Sequence, residues 1–449
     1  MKKTKILNYG IIIFSLLLYI SLIFTDSIWS DEAFTMTAIR HDFIGITKTT
    51  AIDVHPPLYY HIVKIFTLLF GYSVPIAKFA SIVPCILIMC IVTKKSEEIF
   101  KEKAGQIALI FNLLISFMPI AFIMNIEIRM YTWSMFFVTC SGIYAYEVYR
   151  KKNKRNIAIF LISSLCGAYT HYFAIVSIAL IYLTLFILLI KKDKSNWKLC
   201  IFLAIITIIG YLPWLPTFLK QFRNVRTDYW IQDINVLADI KYLYQGKFTY
   251  AFLIVFVCII IGFIRYLIKN KKDKEAILAV LAIINIFGTV LIGYILSMLI
   301  RPVFTSRYMY VAVGLFFLGV SIAISKIDYK NILKIVLTTL LIINLPFSYI
   351  AEFNKAYNNG TEEFKSFIYE NIKASDKVSS DIIELSWEEL EYYMPYKKVR
   401  YKIGESTRGY VITKKSLEKL QEIIPNTNIE QVFEGDIDNT YKFVIYYVE

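Results

Sequence analysis

Charge is scarce in this chain: Asp, Glu, Lys and Arg make up only 19% of its 449 residues, while 57% are apolar and 16% aromatic. The mean hydropathy of +0.55 agrees. That shortage excludes an ordinary soluble globular protein and points to a polytopic membrane protein. Cysteine is also sparse, and none of the six (85, 90, 140, 166, 200 and 258) lies in the C-terminal region. No disulfide framework is expected there, and no Cys/His spacing suggests a zinc site. A glycine-rich phosphate loop is missing, so no soluble-nucleotide pocket is expected. Nor is there an internal repeat of the kind that marks inverted-repeat transporters.

What the chain has instead is apolar runs. A helix needs roughly twenty apolar residues to cross the hydrocarbon core, and about eleven runs qualify, near 6–25, 75–93, 105–123, 131–149, 156–170, 173–190, 199–217, 251–268, 275–299, 308–325 and 332–350. Lys2, Lys3 and Lys5 precede the first run, but no small-residue cleavage site follows it, so a retained anchor is expected rather than a signal peptide. The net charge of +14 sits mainly in alternate short loops, at 94–103, 150–155, 191–198, 269–274 and 326–334. The positive-inside rule makes those loops and the N-terminus cytoplasmic. The basic charge is therefore topological, with no nucleic-acid partner expected. An odd number of spans puts the C-terminal region outside, in the cell envelope.

Residues 1–350 thus read as a transmembrane domain with a long external loop at 26–74. Residues 351–449 read as a small extracytoplasmic α/β domain, with strands at 377–383, 398–401, 409–413 and 441–448 and helices at 362–372, 387–393 and 416–424. The loop at 218–250 is basic and aromatic, with Lys220, Arg223, Arg226, Tyr229, Trp230, Lys241 and Lys247.

The first external loop carries Trp29-Ser-Asp31-Glu32 and, some twenty residues later, Asp53-Val-His55-Pro56-Pro57-Leu58-Tyr59-Tyr60. Acidic residues beside hydrocarbon usually mark a site for a cation, a proton or a polar ligand. As bland features, Asp31 and Glu32 would only cap an amphipathic helix and favour its dipole. Their company on the same face argues for more. The Pro pair must begin a helix, which fixes His55 at the turn before it. Glu127 and Arg129, in a short external loop, are candidates for a metal ligand and a phosphate clamp. Otherwise they form a surface pair of small value. Arg301 and Arg307 either snorkel to the interface or neutralise an anionic lipid head. Asp53, Tyr59, Tyr131 and His171 complete the candidate site.

These residues resemble those of the GT-C membrane glycosyltransferases, in particular the protein O-mannosyltransferase and aminoarabinose-transferase group, glycosyltransferase family 39 among them. The Asp31-Glu32 pair, the 53–60 motif and Glu127-x-Arg129-Met-Tyr131 carry the likeness, with weaker support from 169–172, 212–216 and Ser306-Arg307-Tyr308. The resemblance implies inverting transfer of one sugar from a polyprenyl-phosphate carrier to a hydroxyl acceptor on the outer face. It implies Asp31 as base with Glu32 assisting, and His55 facing the donor phosphate; apart from the resemblance, Arg129, Arg301 and Arg307 are the cations expected to neutralise that phosphate. A divalent metal held by Asp31 and Glu127 is a further expectation. The eukaryotic mannosyltransferases carry a β-trefoil insertion that this chain lacks. Competing readings are a lipid-linked-sugar transporter or flippase, a polyprenyl-diphosphate-dependent ligase or polymerase, and an inactive scaffold.

Overall fold

The computed structural model describes residues 2–227, 231, 233, 235, 241, 248–382, 387–437 and 441–449. Tyr229, Trp230 and Lys247 of the basic loop, and the end of the first expected strand, lie outside the described residues. Backbone in hydrocarbon must satisfy its own hydrogen bonds, so every apolar run is expected to be helical. A helix stands at each of them. In chain order the helices are α1 (Lys2–Ile20), α2 (Ser30–Ala38), α3 (Phe43–Ile52), α4 (Leu58–Phe70), α5 (Val74–Phe100), α6 (Ala104–Phe117), α7 (Pro119–Ile126), α8 (Tyr131–Arg150), α9 (Lys154–Ala168), α10 (Tyr172–Lys192), α11 (Trp197–Tyr211) and α12 (Leu215–Thr227). There follow α13 (Thr249–Lys269), α14 (Ala276–Leu299), α15 (Tyr310–Lys326), α16 (Lys330–Tyr357), α17 (Thr361–Asn371), α18 (Trp387–Tyr393) and α19 (Leu417–Ile423).

Among the described residues, eight helical segments are long and apolar enough to cross a membrane, and one of these, Val74–Phe117, contains both α5 and α6. Two expected runs fall outside those eight. α8 has the length but is polar, with Thr132, Ser134, Thr139, Ser141 and Glu147 all buried, and α9 has only 15 residues. Both are held by packing against neighbouring helices, α8 and α9 lying against each other.

The bundle is built around α15, whose residues Tyr310 to Ser325 are all buried. It packs against α6, α8, α13 and α14. Gly314 lies on Met135 and Thr139 of α8, and Gly319 on Ala282 of α14, with no room for a Cβ at either. Small residues at such crossings let helix backbones approach closely where no hydrophobic effect drives association. A polar network crosses the same region. Asn125 donates to the Tyr19 hydroxyl at 2.9 Å and to the Ile115 carbonyl at 3.2 Å, and Tyr310 donates to its Oδ1 at 3.1 Å. Tyr19 donates in turn to the Ser116 carbonyl at 2.6 Å.

α16 runs past the expected boundary at 350 to Tyr357 and leads directly into the C-terminal domain. That domain has one mixed four-stranded sheet, β1 (Val378–Ser380), β2 (Gly409–Thr413), β3 (Ile429–Ile437) and β4 (Tyr441–Val448), in the order β1-β2-β4-β3. β1 and β2 are parallel and the other pairs antiparallel. The stretch at 398–401 contributes only a bridge between Ser379 and Arg400 rather than a strand. β3 was not expected, because Glu430, Gln431, Glu434 and Asp436 interrupt its apolar pattern; as an edge strand it has one unpaired side and tolerates them.

Replacing Asn125 by Leu leaves the Tyr19 and Tyr310 hydroxyls without this partner inside the bundle. The expected cost of losing these hydrogen bonds is about 1–3 kcal/mol, read as a lower midpoint in thermal unfolding of the detergent-solubilised protein.

Candidate active site

The first polar segment folds as three short helices, α2 to α4, set beside the turn between α7 and α8. Asp31 and Glu32 occupy the first turn of α2, where carboxylates favour the helix dipole. The two face different partners. Glu32 is buried: its Oε2 accepts from the Trp29 N–H at 3.3 Å and its Oε1 from the Ile128 N–H at 2.8 Å, with the Lys78 ammonium 3.9 Å away. Thr35 adds a hydrogen bond to the Ile128 carbonyl, and Arg129 donates to the Asp31 carbonyl, each at 3.1 Å. The 127–130 turn is therefore fastened along one side of α2.

Asp31 points into a cationic setting. Its Oδ2 accepts from Arg307 Nη1 at 3.1 Å and lies 3.6 Å from Arg129 Nη2, while a third of the side chain remains exposed. Arg307 comes from the single 3₁₀ turn, Ser306–Met309, that begins α15, and its guanidinium lies 5.0 Å over the Trp29 ring. Burial lowers the affinity of Arg129 for its proton, but the negative charge of Asp31, helped by Asp53, outweighs it, so Arg129 stays charged.

The second motif behaves as the Pro pair dictates. Pro57 caps α4, and His55 stands just before it, with Nδ1 3.2 Å from Asp53 Oδ2. Burial raises the Asp53 carboxyl; the hydrogen bond and charge of His55, helped by Arg129, prevail and hold it below the ordinary carboxylate range. His171 caps α10: its Nδ1 accepts from the Phe173 N–H at 3.1 Å, which puts the proton on Nε2. Burial, with the nearby His55 and Arg129, holds its pKa far below the usual value, so the ring is neutral. Ring centroids of His171 lie 5.7 Å from His55, 5.9 Å from Tyr131 and 4.9 Å from Tyr308.

His55, His171 and Tyr308 form the polar wall of an apolar cavity of about 180 Å³ whose remaining lining includes Phe173, Val176, Phe218, Phe222, Leu296 and Ile300. Polar atoms without hydrogen-bond partners collect around this end of the bundle. Trp29 Nε1, Glu127 Oε2, Arg129 Nε and His171 Nε2 are all buried and unmatched. Buried polar groups are normally paired, so these four atoms are available to water or to a ligand.

The structure thus brings Asp31, Asp53, His55, Arg129, Tyr131, His171 and Arg307 together. Glu127 adjoins them at a small second cavity lined also by Glu32, Glu352, Lys78 and Lys355. Tyr59 is elsewhere, buried on α4 with its hydroxyl against Ser81. Arg301 donates to the Val225 carbonyl at 3.4 Å, at the Ile300–Val303 edge of the apolar cavity. The metal expected on Asp31 and Glu127 lacks a donor set. Among the described residues no three His, Cys, Asp or Glu side chains are grouped to hold one, and Asp31 is already engaged by two guanidinium groups.

Sequence reasoning missed Gln221 of α12. Its amide donates to the Thr50 and Asp53 carbonyls, its oxygen accepts from Tyr172, and so it fastens the Asp53–His55 turn to the bundle. Nothing in the chain around a lone Gln between Lys220 and Arg223 signals this. Trp29 lay inside a recognised motif, and its place beneath Arg307 needed the fold.

No protein-family model matches the chain, and no curated protein sequence does. Solved structures do. ArnT from Cupriavidus metallidurans in the apo state superposes with a TM-score of 0.66 at 10% identity, over 98% of this chain and 97% of that one. The same protein bound to undecaprenyl phosphate gives 0.63 at 9% identity over the same shares. The archaeal oligosaccharyltransferase AglB from Archaeoglobus fulgidus, in complex with an inhibitory peptide and a dolichol-phosphate, gives 0.53 at 11%, over 90% of this chain and 69% of that one. The chain has the GT-C membrane fold that its motifs implied, with a small C-terminal sheet domain.

Burial, reinforced by Glu32 and Glu352 and opposed by Lys355 and Arg307, pushes Glu127 from 4.5 up to about 7. The folded chain then keeps a proton that the unfolded chain has released, so this group's contribution is complete below about pH 4.5 and is lost as pH rises through about 7. Glu127→Gln removes the loss. Thermal midpoints measured from pH 4 to 8 are expected to coincide at the acid end and to favour the variant at pH 8, by on the order of a few kcal/mol.

Proposed function

We propose that this chain is an integral membrane glycosyltransferase that moves one sugar from a polyprenyl-phosphate-linked donor to a hydroxyl acceptor at the outer face, with inversion. One observation carries the reading: a partly exposed carboxylate, Asp31, is held between Arg129 and Arg307 close to the polar wall of an apolar cavity. The cavity lining has the chemistry of a prenyl tail. The undecaprenyl phosphate of the ArnT structure and the dolichol-phosphate of the AglB structure support a lipid phosphate as its headgroup. Basic residues in alternate loops support an outward-facing site and an extracytoplasmic C-terminal domain.

In this reading the acceptor hydroxyl attacks the anomeric carbon, the bond to the phosphate oxygen breaks, and the hydroxyl proton passes to Asp31. The charge arrangement suits that sequence. Before transfer, Asp31 occupies the two guanidinium groups. As it takes up the proton its hold on them lapses, just when the departing phosphate gains negative charge and needs them. Preorganised cations at developing charge are among the largest contributions to catalysis. The neutral His171 offers an N–H from Nε2, and His55, oriented by Asp53, lies beside it. Glu32 is a positioning residue, since both of its oxygens are taken by backbone N–H groups.

The test is sugar transfer in detergent from a polyprenyl-phosphate donor, comparing native protein with Asp31→Asn. Loss of a general base is expected to lower kcat by about 10²–10⁴-fold, with little change in KM for the donor. Arg307→Ala is expected to lower kcat and kcat/KM together, as for an interaction strengthened in the transition state. A diphosphate-linked donor is expected to be inert. Lipid movement without transfer, or full activity in Asp31→Asn, overturns the reading.

A further inference from the structure

A third cavity, of about 540 Å³, lies where the segment bearing α2 to α4 meets the C-terminal domain. It falls within the roughly 300–1,000 Å³ of small-molecule sites. Arg40, Tyr72 and Tyr392 stand together in its lining, which also takes in Tyr369, Glu370 and Tyr396. We propose that this cleft binds the acceptor, and that the acceptor is a neutral saccharide chain. The proposal rests on the transferase reading above and names its second substrate.

Three features point to a saccharide. The first is the density of aromatic rings with hydroxyl tips. A sugar offers polarised C–H groups to the electron-rich face of a ring and hydroxyls to its edge, and tyrosine supplies both partners. Tyr369 is 90% exposed and Tyr396 52%, so neither is held in place by a core role. The second is that two of the rings are set in advance. Arg40 donates to the Tyr72 hydroxyl and to the Tyr392 carbonyl, each at 3.1 Å, and its guanidinium lies 5.9 and 5.5 Å over those two rings. Fixed rings reduce the ordering cost of binding.

The third feature is charge. Two cations, Arg40 and Lys365, face two carboxylates, Glu362 and Glu370, and Lys365 is already paired with Asp26 and Glu362. A phosphorylated or otherwise anionic acceptor gains no net attraction here, whereas a neutral polyol finds donors and acceptors of both kinds. An extended peptide is recognised most readily along a sheet edge, and among the described residues no strand residue lines the cleft. The position also fits. α2 carries Asp31 in its first turn and ends at Ala38, about 10 Å further along at 1.5 Å per residue, and Arg40 follows two residues after that end.

The experiment is saturation-transfer NMR on the full-length protein in a sugar-free zwitterionic detergent. The probes are neutral hexasaccharides of glucose, mannose and N-acetylglucosamine, with a Ser/Thr-rich hexapeptide as the alternative. At least one saccharide is expected to give a signal that falls fivefold or more in the double variant Tyr369→Ala, Tyr396→Ala and returns in Tyr369→Trp, Tyr396→Trp. Unchanged thermal midpoints show that the variants are folded. No tyrosine-dependent saccharide signal, or a signal from the peptide alone, overturns the proposal. Donor turnover by native protein is followed separately. Turnover without a saccharide signal overturns the cleft alone, and a tyrosine-dependent signal with no turnover supports the cleft and overturns the transferase reading.

Discussion

A buried carboxylate is costly unless its oxygens are matched, and Glu32 meets that condition with two backbone N–H groups. One belongs to Trp29, at the open end of α2 where helical donors have no partner of their own. The other belongs to Ile128, in the turn that carries Glu127 and Arg129. A single side chain therefore closes a helix terminus and fastens a remote turn to it. Everything chemical in the site follows from that join. It sets Arg129 against Asp31 on one side, and α15 delivers Arg307 on the other. With the Thr35–Ile128 and Arg129–Asp31 backbone contacts, the tie holds Asp31 of α2 against Arg129 of the turn.

Polar groups elsewhere in the bundle serve the same end. The Asn125 network joins α1, α6, α7 and α15, the elements that set the 127–130 turn and Arg307. Gln221 does for the Asp53–His55 turn what Glu32 does for the 127–130 turn, reaching from α12 to two carbonyls. The site is held by hydrogen bonds from outside it, and its own members are left with unmatched atoms.

Much of this was legible in the sequence where local rules are strong. Hydrocarbon permits only helix, so the apolar runs gave helices at every expected place. The Pro pair could only begin a helix, and it put His55 where the structure has it. The limits were long-range. That Asp31 and Glu32, adjacent in sequence, do different work depends on the rotation of α2 against a turn almost a hundred residues away. Tyr59 stands in a motif beside His55, yet helical geometry points it into the core toward Ser81. Arg301 and Arg307 looked equivalent as arginines flanking one turn; only the second stands at the foot of α15 facing Trp29. In the C-terminal domain β2 and β4 kept a readable apolar pattern, while β3 hid behind its acidic residues.

α15 has no face toward lipid, and that has a bearing on how such chains diverge. On α11, Ile201, Phe202, Ile205, Ile208 and Ile209 are exposed outward, and hydrocarbon asks only that they be greasy. Such positions can exchange one apolar residue for another without penalty, and a membrane bundle has many of them. The inner helix answers to volume instead, at Gly314 and Gly319 down to a single methyl group. A fold held by a few such positions leaves most of the letters free, and a superposition spanning nearly the whole of two chains is then compatible with 10% identity.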